Sequence, residues 1–114
     1  MKSTETGHKA ERAAKVYLEM RGYQILEQNW RRPAAEIDLI ACKDNIIYFV
    51  EVKYRRTLDQ GGGLEAITPS KLKHMQRAAY LWVAEEKWRG DFSLAVVELA
   101  GPTFAVTAFI DNAY

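Results

Sequence analysis

The chain has 114 residues, 48% hydrophobic and 27% charged; that mixture suits a single globular domain over residues 1–114 and excludes disorder, a repeat array or low complexity. Lys and Arg number 16 against 15 Asp and Glu, a formal net charge of +1, so any phosphate-binding surface must come from local clustering and not from a general basic excess. One cysteine, Cys42, excludes an internal disulfide and a zinc–thiolate cluster; the start from Met1 to His8 has no apolar core, and the longest apolar run, Ala78 to Ala84, is too short to span a bilayer, so a soluble cytoplasmic protein is expected.

Thr6 to Met20 reads as a helix, since Ala10, Ala13, Ala14, Tyr17 and Leu18 recur at helical spacing, with Thr6 as N-cap and Gly22 as the stop. Tyr23 to Trp30 reads as a strand with Tyr23, Ile25 and Leu26 facing inward. Arg31-Arg32-Pro33-Ala34 is a connection, because proline biases its neighbours away from helix. Ala35 to Cys42 and Ile46 to Tyr54 are two strands separated by Lys43-Asp44-Asn45. Asp44 and Asn45 suit the positive φ values of a two-residue hairpin turn, which pairs Lys43 with Ile46. Thr57 to Ile67 is a loop around Gly61-Gly62-Gly63, either a mobile lid that grips substrate or a plain linker. Thr68-Pro69-Ser70 opens a second helix that runs to about Trp88, with Leu72, Met75, Ala79, Trp82 and Val83 as its apolar stripe. Phe92 to Leu99 and Phe104 to Ile110 are the last strands, divided by Gly101-Pro102. The order αβββαββ predicts an α/β fold: a mixed sheet flanked by helices, with a parallel pairing made through the second helix.

The chemistry concentrates in the hairpin. Counting outward from the turn sets Asp38 opposite Glu51 and Glu36 opposite Lys53. Carboxylates directly opposed across a ladder repel, so they either share a proton or hold a cation. Ile40, Ile47 and Phe49 share the acids' face, so that face is expected to be partly covered. A hard divalent ion such as Mg²⁺ or Mn²⁺ takes one or two carboxylates together with water and phosphate oxygens, and a lysine beside it can orient water or neutralise phosphate charge. Asp38, Glu51 and Lys53 therefore read as a metal-dependent phosphodiester-cleaving site. Glu11 lies on the rim of the first helix's apolar stripe and would reach such a metal if that helix packs beside the hairpin face. His8 and His74 lack partners at ligand spacing, which excludes zinc. Arg31 and Arg32 precede the first motif strand, Arg55 and Arg56 follow the second, and Lys71, Lys73 and Arg77 gather on the second helix: these are the candidate nucleic-acid contacts.

Gly7-x-x-x-Glu11, Tyr17-Leu18, Gly22-Tyr23-x-Ile25-Leu26, Asn29, Glu36-Ile37-Asp38-Leu39-Ile40, Phe49-Val50-Glu51-Val52-Lys53 and Glu65-Ala66 after the glycine loop, taken in order, resemble the bacterial YraN-like family. That family is similar to the PD-(D/E)XK nucleases, with the restriction-endonuclease-like fold, and in layout to archaeal Holliday-junction resolvases. The resemblance implies that Asp38 and Glu51 are metal ligands, with the Val52 backbone carbonyl a further one. It implies that Lys53 positions or activates the attacking water and that Glu11 is the helix-borne acid; Glu36 matches a family position with no assigned chemical role and is placed behind the ligands. It also implies Mg²⁺ or Mn²⁺ as cofactor, DNA as partner, branched or damaged DNA among the substrates, and a 5′-phosphate product. Ala10, Ala35 and Ser93 depart from the family pattern, which bears on substrate fit more than on metal binding. A homodimer is expected, because one small domain offers little surface to a duplex or junction. The alternative is a non-catalytic nucleic-acid-binding or adaptor module that retains the nuclease fold.

Overall fold

The structure is a computed structural model that describes residues 4–56 and 68–113. Helix α1 runs Thr4–Met20, two residues earlier than expected, so Thr6 lies inside it and is not its cap. Glu5 favours this early start, as an acid in the first turn that also reaches Lys9 at 3.6 Å. The helix ends where Gly22 takes φ +92° and the Tyr23 amide donates back to the Leu18 carbonyl at 3.0 Å.

Five strands follow: β1 (Gln24–Arg32), β2 (Ala35–Lys43), β3 (Ile46–Arg55), then, after helix α2 (Pro69–Glu86), β4 (Phe92–Ala100) and β5 (Ala105–Ile110). They form one sheet in the order β1-β2-β3-β4-β5, antiparallel throughout except for the parallel pair β3–β4 that α2 connects. The expected αβββαββ mixed fold is therefore present. Thr68 caps α2, its hydroxyl accepting from the Lys71 amide at 3.1 Å, and Lys87 closes the helix in the left-handed region. The expected loop at residues 57–67, with Gly61-Gly62-Gly63, lies outside the described residues.

Each sheet face has its own core. Ala10, Ala14 and Leu18 of α1 pack with Leu39, Ala41, Val50 and Val52, while Met75, Ala78, Ala79 and Trp82 of α2 pack with Ile40, Ile47, Phe49 and Leu94. Two-residue alternation explains the division in β3, and burial on both faces explains why β4 reads as one nearly unbroken apolar run. Within β1, Leu26 is 40% exposed, not inward as expected. The register slips between Ile25 and Glu27, and the extra residue of that bulge turns outward. Arg31 and Arg32 extend β1 and do not belong to the connection, which narrows to Pro33-Ala34, with Ala34 at φ +61°. No helix among the described residues is long and apolar enough to cross a membrane.

Candidate metal and nucleic-acid site

The turn at Asp44-Asn45 forms as expected, with φ +53° and +64°, and Lys43 pairs with Ile46. From there the β2–β3 ladder runs only to Leu39–Val50. Asp38–Glu51 and Glu36–Lys53 are therefore not ladder pairs, contrary to the outward count. The cause lies one strand away. Gln28 pairs with Leu39 and Trp30 with Ile37, which sets Asn29 beside Asp38, and Asn29 takes φ +52°. A left-handed residue inside a strand turns its backbone. The neighbouring β2 turns too: Leu39 packs on the α1 side but Ile37 packs with Trp30 on the α2 side, although residues two apart ordinarily share a face. Where β2 leaves β3, the Val52 amide has Asp38 as its partner and donates to Oδ2 at 2.8 Å.

Glu51 alternates with Ile47 and Phe49 and so faces α2. Its Oε2 meets Lys71 Nζ at 3.0 Å, with the carboxylate side chain 15% and the lysine 39% exposed. Burial acts to lower the Lys71 pKa. The hydrogen bond and charge of Glu51, with Asp38 and Glu36 farther off, outweigh it and hold the ammonium above its ordinary range. Of these three acids Glu51 is the one in direct contact with the Lys71 ammonium, on the first turn of α2. Glu36, Ile37, Phe49, Val50, Glu51 and Met75 line a small recess at this point.

Further along the same face of β3 come Lys53 and Arg55. Lys53 is half-buried and registers with Glu98 of β4. Arg55 Nε donates to Glu98 Oε2 at 2.8 Å, and the Thr107 hydroxyl donates to Glu98 Oε1 at 2.7 Å. The α2 side of the sheet thus passes from apolar (Ile47, Phe49) to charged (Glu51, Lys53, Arg55), and the N-terminal turn of α2 marks the border.

The other sequence-predicted residues are distributed as follows. Glu11 is buried on α1, among residues that cover the opposite face of the sheet. Arg31 lies 3.6 Å from Glu36. Arg32 donates to both oxygens of Glu85, at the far end of α2 from Lys71, and stacks over Trp30 at 4.6 Å. Arg56, Lys73 and Arg77 are exposed. Sequence reasoning passed over Glu98, although a lone acid within the apolar run Leu94 to Ala100 signals a buried charge. It also took Lys71 only as a nucleic-acid contact and not as the partner of Glu51.

The donor chemistry fits a hard divalent ion: two carboxylates at the point where a strand pair opens, of the number Mg²⁺ commonly takes from protein. Among the described residues no three of His, Cys, Asp and Glu gather into a ready cage.

Comparison with known proteins adds relationship. The model of the family described as "Uncharacterised protein family UPF0102" matches residues 10–99. A UPF0102 protein of Sulfurihydrogenibium sp. (strain YO3AOP1) is 42% identical over 102 residues, covering 89% of each chain. One of Chloroherpeton thalassium is 44% identical over 94 residues, 82% of this chain and 73% of that protein. One of Cytophaga hutchinsonii is 36% identical over 106 residues, 93% of this chain and 94% of its own.

Proposed function

The chain belongs to the uncharacterised protein family UPF0102, and we propose that it is a Mg²⁺- or Mn²⁺-dependent endonuclease of the PD-(D/E)XK kind that hydrolyses phosphodiester bonds in DNA, branched or damaged structures included. The observation that supports this reading is the opening of the β2–β3 ladder at the acids, with Asp38 fastened to the Val52 amide and Glu51 beside it on the α2 face. A strand residue turns its N–H and C=O toward the same neighbour. The Val52 carbonyl accordingly faces the opening that its amide faces, as a third oxygen donor.

Asp38, Glu51 and the Val52 carbonyl would hold the ion. Bound there, it would supply charge for the scissile phosphate and a lowered pKa for water. Lys53, on the face of Glu51, orients the attacking water or stabilises the charge that develops on the phosphate. Arg56, Lys73 and Arg77, exposed around this edge, give the backbone phosphates their contacts, joined by Arg55, which Glu98 orients. Glu11, buried on α1, would serve as the helix-borne acid of this site.

The absence of a three-acid group among the described residues favours a second reading, a nucleic-acid-binding or adaptor module that does not cleave. Labelled single-stranded, duplex, flap and four-way-junction DNA incubated with Mn²⁺ separates the two. The nuclease cleaves at least one substrate and leaves 5′-phosphates, with Asp38→Ala and Lys53→Ala inactive. The adaptor binds without cleaving, and Asp38→Ala binds equally well.

A further inference from the structure

Lys71 has a position unlike the other basic residues of α2. Lys73 and Arg77 point into solvent, whereas the Lys71 ammonium lies 3.0 Å from Glu51, one of the two acids proposed to hold metal. Its backbone is fixed, because the amide is the one that caps onto Thr68. Its side chain is not fixed in the same way: it is 39% exposed and ends in a compact, strongly hydrated charge with no bidentate fork to lock it on the carboxylate. Glu51, 15% exposed, stays in place while the more exposed lysine end of the pair can leave for water.

We propose that Lys71 is a built-in competitor for the acidic pair: its ammonium engages Glu51 where a divalent ion would bind, and binding of the ion releases it toward a nucleic-acid phosphate. This deepens the metal-site reading above and rests on it. The released charge then joins Lys73 and Arg77 on the same helix, so that loading with metal and gripping the backbone are linked through one side chain. An ion pair away from the metal-binding carboxylates has no such consequence, since its loss leaves the Mn²⁺ affinity unchanged.

Isothermal titration of the full chain with Mn²⁺, without nucleic acid, tests this. Lys71→Met removes the competitor and tightens Mn²⁺ binding about two- to fivefold, the range set by a partly exposed ion pair. Lys73→Met removes the same charge from the same helix without a Glu51 contact and leaves the affinity unchanged. Lys71→Gln, which keeps a polar chain at this half-exposed site, is the second variant should methionine disturb the fold. In a second readout with Ca²⁺ and a short duplex, Lys71→Met lowers the salt dependence of binding by about one released counterion. Equal or weaker Mn²⁺ binding by both Lys71 variants overturns the proposal while the metal site stands. So does a gain in Lys73→Met as large as that in Lys71→Met, which would reduce the effect to a general field. Absence of Mn²⁺ binding in wild type and variants alike removes the metal site itself, and the competitor with it.

Discussion

Asp38 is given two separable tasks, and two substitutions separate them. Its Oδ2 accepts the Val52 amide at 2.8 Å, and Val52 is 0% exposed. Asp38→Ala leaves that amide without its carboxylate partner in a water-poor place, at a cost of about 1–3 kcal/mol. Relief of repulsion with Glu51 offsets only part of this, because Lys71 already screens Glu51. A net loss of about 2 kcal/mol lowers the urea midpoint by roughly 1 M for a domain of this size. Asp38→Asn presents a carbonyl oxygen in the same position, keeps the bond to Val52, and stays within about 1 kcal/mol of wild type. Both changes remove the negative charge and lose Mn²⁺. Urea unfolding followed by tryptophan fluorescence, paired with Mn²⁺ titration, reads the two effects independently. An Asp38→Ala protein as stable as Asp38→Asn would refute the amide-anchoring role, and wild-type Mn²⁺ affinity in Asp38→Asn would refute the ligand role.

Two further outcomes concern the scaffold. Burial, with Tyr48 and then Asp111 beside it, pushes the Tyr23 pKa up to about 12, above its unfolded value, so its share of stability is complete below about pH 10 and is lost as pH rises through about 12. Tyr23→Phe should flatten the decline in urea-unfolding stability across that window, and an equally steep decline in the variant would contradict the assignment. Arg55→Ala leaves the Glu98 carboxylate, only 3% exposed, with Thr107 as its hydrogen-bond partner among the described residues, and should cost about 3–5 kcal/mol, much of it recovered by the apolar double change Arg55→Met with Glu98→Leu. A single-variant loss below about 1 kcal/mol in thermal or urea unfolding would show that the pair is loosely held.

The parts of the fold governed by nearby residues were legible. Asp44-Asn45 specified its turn and the start of the register, Gly22 ended α1, and the helix between β3 and β4 announced their parallel pairing. What escaped depends on strands that are remote in sequence. The ladder stops at Leu39–Val50 because β2 turns beside the left-handed Asn29 of β1, and counting from the turn assumes that pairing continues. Leu26 turns outward through a bulge that only the β1–β2 register defines. Glu98 finds Arg55 on one neighbouring strand and Thr107 on the other, so its environment exists only once β4 is placed between β3 and β5. Of the candidate site, Glu51 on the covered α2 face, the approach of Lys71 and the burial of Glu11 on α1 are plain in the structure.

Asp38→Asn keeps the fold and removes the charge, which makes it the sharpest probe of the chemistry. Single-turnover cleavage of a labelled junction or flap DNA in Mn²⁺ should proceed with wild type and fall by at least about a hundredfold with Asp38→Asn and with Lys53→Ala, the scale on which loss of a positioned catalytic group is felt. Cleavage by the folded Asp38→Asn protein at the wild-type rate would contradict the nuclease assignment.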